Sequence, residues 1–407
     1  MMFNCRSTLA ISLALGISAV TAGLPAHAQG GPFVMGVIVP KSGPASQYSG
    51  PIEAGMQVAQ KQINDAGGIN GRKLELVFRD SGSNPQRALL AARELVEEQK
   101  VQVLFPEIIS GLALAVLPYA TEKKMLTITN GSAPKIGDAK EFPYSFQFGD
   151  LASKRAPAMA AALRKLGGKK VGILVSTNPG NIATGEQLQV ELPGKFGMQV
   201  AAYRTFSPDA KDLTANLQAL RDAGADIVAF DTVPRESIRT MMTGMQTLGW
   251  SAHVVSGVAS LSGDLMPLVP APVAKQFHAL NYRVGTKTGA ANPELQKFIE
   301  ELRKVGPISN LAFTAIARDI VYMVKWGAEK AAKMPGGINA DNMKNALEAI
   351  GSATDYPANF SLVLGNPRWS KADHTTSGVD YTRLWGLVRQ STPTDGIYEG
   401  EALNFTE

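Results

Sequence analysis

One pattern repeats along this chain and limits what it can become: a short apolar run, a loop carrying serine or glycine, then a stretch with apolar residues at helical spacing. Residues 33–40, FVMGVIVP, are almost wholly apolar, as suits a strand buried on both faces of a parallel sheet, which has no wet side to supply with polar residues. Over 51–66 the apolar positions Ile52, Met56, Val58 and Ile63 follow a helical period, and Gly67-Gly68 stops the helix. LELVFRD (74–80) precedes a predicted helix over 85–99, VQVLF (101–105) precedes one over 112–124, and MLTIT (125–129) closes the series. Strands alternating with helices predict a doubly wound α/β domain.

A second series of the same kind follows the aromatic stretch FPYSFQFGD (142–150). It comprises a helix over 154–166, KVGILVS (170–176), a helix from Gly185, QVAAYRTF (199–206), a helix over 213–223, ADIVAFD (225–231), a helix over 235–248 and HVVSG (253–257). At 407 residues the chain has room for two domains of ordinary size. Two similar halves side by side predict a cleft between them. Residues 273–350 read as mostly helical, with helices over 311–330 and 342–350, whereas 360–387 reads as strand-like segments punctuated by turns at 365–367 and 377–378. No low-complexity linker separates the halves, so several crossovers are expected in place of one tether.

The N-terminus points to export. Arg6 precedes an apolar run over 9–20, and small residues end in Ala26-His27-Ala28, the form of a cleavable secretory signal with an Ala-x-Ala site. The run is too short for the ~20 residues that span a bilayer. Cys5, the one cysteine, lies before the run and therefore cannot be a lipid-bearing cysteine at its end. The mature chain is expected to be periplasmic and to carry no cysteine, which excludes disulfides, catalytic thiols and zinc–thiolate sites. The excess of 40 basic over 35 acidic residues is scattered along the chain, unlike the concentrated stripe of a nucleic-acid binder.

Catalytic signatures are missing: the chain has no GxGxxG, GxxxxGK[ST], HExxH or GxSxG. The expectation is a protein that is no enzyme and uses no cofactor or metal. Four loops at predicted strand ends carry small polar residues instead: 40–50 (PKSGPASQYSG), 106–111 (PEIISG), 129–134 (TNGSAP) and 181–185 (NIATG). Loops in that position bind small molecules in open α/β sheets. A hydroxyl beside glycines at a helix start, with free N–H groups around it, suits a carboxylate, although each loop read alone is equally well a plain helix cap.

Residues 43–88 (GPASQYSGPIEAGMQVAQKQINDAGGINGRKLELVFRDSGSNPQRA), 109–129 and 369–388 resemble the periplasmic branched-chain amino-acid binding proteins that serve ATP-driven importers. That resemblance implies a type I periplasmic binding protein fold, with two doubly wound lobes joined by three hinge crossovers near 146–150, 279–282 and 360–364. One lobe would comprise 29–148 plus 281–361, and the other 149–280 plus 362–407. It further implies that Ser110, beside Gly111, grips a ligand carboxylate; that Ser132 is a second hydroxyl donor, with Asn130 and Gly131 adjoining; and that Tyr48 flanks the ligand. Thr184 and Thr232 stand at positions usually aromatic. Val258 stands where amino-acid-binding members carry the acid that receives the ligand's ammonium. Asp231 is the nearby carboxylate that could replace it, or else it caps the helix starting near Arg235. The second alternative is favoured here, and with it a ligand lacking the amine. The implied partners are a small carboxylate or amino acid and a membrane permease; the alternative role is a ligand sensor presenting its closed form to a membrane receptor.

Overall fold

A computed structural model describes residues 1–2, 30–258, 261, 264, 266–289, 292–353, 361–389 and 392–405. The cleavage site expected after Ala28 lies outside the described residues. Strands β1 (Phe33–Val39), β2 (Leu74–Asp80), β3 (Val103–Phe105), β4 (Thr127–Thr129) and β5 (Ser145–Gln147) alternate with helices α1 (Ser49–Asp65), α2 (Pro85–Glu97) and α3 (Ser110–Glu122). They form an all-parallel sheet in the order β2-β1-β3-β4-β5. The apolar β1 run explains its central place. Phe33, Met35, Val37 and Val39 enter one buried cluster, while Ile38 enters the cluster on the opposite face. Each such side chain contributes roughly 1.5–3 kcal/mol through burial.

The second sheet takes α4 (Ala152–Lys165), β6 (Lys170–Ser176), α5 (Pro179–Gly194), β7 (Gln199–Phe206), α6 (Thr214–Asp222), β8 (Ile227–Asp231), α7 (Glu236–Thr247), β9 (His253–Ser256) and β10 (Phe277–Tyr282). The chain then returns to the first lobe as α8 (Pro293–Val305), α9 (Leu311–Ala331) and α10 (Ala340–Glu348). Helix α9 lies so close to α1 that a Cβ on Gly55 would meet the Thr314 carbonyl oxygen at 2.0 Å, so only glycine fits there. Strands β11 (Trp385–Arg389) and β12 (Gly400–Ala402) complete the second sheet antiparallel to their neighbours, in the order β12-β11-β10-β9-β8-β6-β7.

Two readings need correction. Helix α5 begins at Pro179, a residue pre-set for a first helical turn, and not at Gly185. The stretch from 361 onward does not cross near 360–364: Leu362 N–H still donates to Asp319 of α9. Trp369 Nε1 donates to the Gln147 carbonyl, and Gln147 N–H donates to the His374 carbonyl, so 369–374 lies along β5. The last passage falls between Thr376 and Leu384, because β5 had an open edge that this segment covers.

The three passages are bound to one another. Tyr282 hydroxyl donates to Asp150 Oδ1 (2.6 Å), and its ring stacks on Trp385 at 5.2 Å. Leu151 N–H donates to the Tyr381 hydroxyl, which also meets Thr376 Oγ1 at 2.8 Å.

Candidate functional site

Between the lobes lies a cavity of about 50 Å³, lined by Tyr48, Ile108, Ile109, Ser110, Asn130, Ser132, Asp150, Arg155, Asn178, Asn181, Val233, Val258 and Phe313. These residues follow β1, β3, β4, β5, β6, β8 and β9, or lie in the first turn of α4 and α9, so both sheets direct their C-terminal ends at one space. Open α/β sheets bind ligands at that end.

Ser110 opens α3 and is buried. Its Oγ accepts the N–H groups of Ser132 and Ala133, both at 3.1 Å. With its lone pairs engaged by the 129–134 loop, the hydroxyl proton remains to be donated. Asn130 lines the same wall, and neither its Nδ2 nor its Oδ1 has a partner among the described residues. A buried amide with no partner loses its hydration uncompensated, at about 1–3 kcal/mol, unless something in the cavity supplies the bonds. Gly131 N–H is held by Thr129 Oγ1.

The opposite wall reaches across. Asn178 precedes α5 as its N-cap residue but makes no side-chain cap to that helix. Its Oδ1 instead accepts the N–H of Gly111, the second residue of α3, at 3.1 Å. Tyr48 hydroxyl and Gln47 Nε2 both donate to the Val233 carbonyl, at 2.9 and 3.1 Å, and the Tyr48 ring packs edge-on to Phe313. The lobes therefore touch directly, and Tyr48 serves that contact as well as the cavity wall.

Of the remaining sequence candidates, Val258 lines the cavity. Thr184 is fully buried in α5 and its hydroxyl bonds back to the Gly180 carbonyl; Thr232 is buried with no partner for Oγ1 among the described residues. Neither Thr184 nor Thr232 lines the cavity, and nor does Asp231. Asp231 does not cap α7 either: that helix starts at Glu236 without a side-chain cap. Arg155 from α4 claims Asp231 instead, its Nη1 donating to Oδ2 at 2.9 Å, while Nε donates to Asp150 Oδ2 at 2.5 Å. All three groups are nearly inaccessible. Burial pushes the Asp231 carboxyl above its ordinary value, against the pull of the Arg155 guanidinium.

Arg155, Asp150 and Asn178 are the polar residues that reading by motif overlooked. Arg155 could have been found, because it sits in ASKRAPAMAAAL on the same helical stripe as Ala152, Met159 and Ala162, and a cation on a buried stripe needs a partner. Asn178 was hidden by placing the helix start one and a half turns late. Among the described residues no group of His, Cys, Asp or Glu could hold a metal, and no helix is long and apolar enough to cross a membrane.

Comparison with known proteins settles the lineage, since the family model described as periplasmic binding protein matches residues 32–381. The chain belongs to that family. A curated relative, Leu/Ile/Val-binding protein homolog 3 of Brucella melitensis, is 26% identical over 300 residues, covering 74% of this chain and 79% of the relative. Among solved structures, the branched-chain amino acid transporter substrate binding protein of Streptococcus pneumoniae, in complex with isoleucine, superposes with a TM-score of 0.71 at 20% identity, covering 92% of this chain and all of that one. An ABC transporter solute binding protein of R. palustris, in complex with 4-hydroxybenzoate, gives 0.73 at 17% identity, covering 92% and 97%. This periplasmic binding protein thus shares its two-lobed type I fold with proteins whose ligands differ in chemistry, and the resemblance to the branched-chain amino-acid group holds.

Proposed function

We propose that this periplasmic binding protein is the extracytoplasmic substrate-binding component of an ABC importer, exported by cleavage after Ala28, and that it captures a small carboxylate between its lobes for delivery to a membrane permease. It works by lobe closure and makes no bonds. In this reading the first lobe is 29–148 plus 281–361, extended through 362–376 to the segment that lies along β5.

The observation that carries the ligand class is the engagement of both nearby carboxylates, Asp150 and Asp231, by Arg155. An ammonium entering the cavity would have to share one of them with a guanidinium already in place, since Asp231, whose Oδ1 has no partner among the described residues, does not line the cavity, and an unpaired buried cation costs several kcal/mol. A carboxylate displaces neither ion pair. It meets the Ser110 hydroxyl, the Asn130 amide, unpartnered among the described residues, and Arg155, which spends Nε and Nη1 on the two carboxylates. The relatives and neighbours include binders of branched-chain amino acids and of 4-hydroxybenzoate, so both classes deserve direct comparison.

Calorimetry with L-isoleucine, its deaminated analogue 3-methylpentanoate and 4-hydroxybenzoate tests the proposal. Binding of an amine-free acid at least as tight as that of L-isoleucine is expected. Binding that requires the amine and collapses in Asp231→Asn would overturn it in favour of an amino-acid carrier.

A further inference from the structure

Glu107 lies two residues beyond the end of β3 and is completely buried, yet it does not line the cavity. Its φ is 141°, a region that glycine enters freely and a residue with a Cβ occupies only when its surroundings compel it. Four hydrogen bonds supply the compulsion, and all of them run toward Glu107. Oε2 accepts the N–H groups of Ile108 (2.6 Å) and Ile109 (2.9 Å). Oε1 accepts the Ser81 hydroxyl at 2.7 Å, and the main-chain carbonyl accepts the Thr129 hydroxyl. The side chain folds back over the two residues that connect it to Ser110, and both of those, Ile108 and Ile109, line the cavity.

We propose that Glu107 is a positioning residue: its ionised carboxylate holds the 108–111 loop in the geometry that presents Ser110 and Gly111 to the ligand, so that affinity weakens as Glu107 gains a proton. This rests on the reading that the interlobe cavity is the ligand site. An arrangement made only of donors pointing at the carboxyl is that of the ionised form, and hydrogen bonds to a charged oxygen are about twice as strong as neutral ones. Burial lifts the carboxyl to about 7, the Ile108, Ile109 and Ser81 donors oppose that, and Asp80 adds repulsion. Asp80, at the end of β2, is the charged neighbour beyond Ser81 and is itself paired with Arg87 of α2; from β4 the facing group is the uncharged Thr129. A carboxyl raised above its ordinary value contributes stability below the ordinary carboxylate range and loses it as pH rises through about 7. At and above neutral pH the ionised Glu107 therefore lowers stability while it supports binding.

The test uses the full-length mature protein, wild type and Glu107→Gln, with two readouts across neutral pH. In the first, hydrogen exchange of the peptide covering 106–112 is followed without ligand. The wild-type loop should lose protection relative to the variant as pH falls through about 7. In the second, affinity is measured for whichever of 3-methylpentanoate, 4-hydroxybenzoate or L-isoleucine binds. Wild-type affinity should fall on the order of tenfold across the same range, with the variant flat at the acid-side value and more stable than wild type above neutral pH. A step that persists in Glu107→Gln, or an affinity that rises toward acid, overturns the proposal. Ser81→Ala, which removes one donor to the carboxylate, should move both steps to higher pH; an unmoved step also overturns it, even should Glu107→Gln fail to fold. If none of the three acids binds, the reading of the cavity fails while the exchange experiment still decides the role of Glu107.

Discussion

Ser110 shows how one hydroxyl can be built into a donor. Two N–H groups from the 129–134 loop occupy its oxygen, so its proton, with no acceptor among the described residues, is available to the cavity that Ser110 lines. Ser110→Ala should weaken binding of a carboxylate by ~1.5–3 kcal/mol, the range for a hydrogen bond to a charged group, with the fold intact by circular dichroism; unchanged affinity would remove Ser110 from the ligand's contacts. Asp231 makes a different prediction. Because burial raises its carboxyl, its contribution to stability is present below the ordinary carboxylate range and declines as pH rises past it. Thermal melts should therefore show the wild type losing ground against Asp231→Asn with rising pH, and the opposite trend would mean that the Arg155 pair outweighs the burial. At this scale the polar residues of the first lobe were legible, because Ser110, Asn130 and Ser132 sit beside glycines at strand ends. Arg155 was not, since nothing local distinguishes a buried arginine from an exposed one until its stripe is traced.

At the scale of elements, the cleft is shaped by two helix starts that face each other. Ser110 and Gly111 open α3, Pro179 and Gly180 open α5, and Asn178 bridges them. Both ends carry partial positive charge, so an anion between them lowers the repulsion. A Cβ on Gly180 would lie 2.4 Å from Ser132 Oγ and 3.1 Å from Ser110 Oγ, a clash that exists only while the lobes are together. Gly180→Ala should accordingly leave thermal stability without ligand near the wild-type value while weakening ligand binding by ~1–3 kcal/mol, as overpacking does. A variant destabilised in the unliganded state would mean that the lobes are already together without ligand. The parallel strands were legible because their apolar runs are short and bounded. The 361–384 stretch was misread as strand because its aromatic residues serve a different end: Trp369 and His374 pack on Phe146 of β5, a long-range pairing with no local period.

For the whole molecule, closure is the event to measure. Small-angle scattering should report a smaller radius of gyration on adding a tight ligand, because the passages tied by Tyr282 and Tyr381 let the lobes turn about a shared line. No compaction with a tight ligand would mean that the hinge account is wrong or that the closed form already dominates. Intact-mass measurement on the exported protein should find a chain beginning at Gln29, and one beginning at Met1 would exclude the cleavage.

The fold also separates its two ends. Phe33 opens β1 in the first sheet, whereas Ala402 closes β12 in the second. Fluorescent proteins fused before the one and after the other would ride on different lobes, so resonance energy transfer between them would register ligand capture without an insertion inside either lobe. The chain is in that sense already wired as an optical sensor for its own ligand.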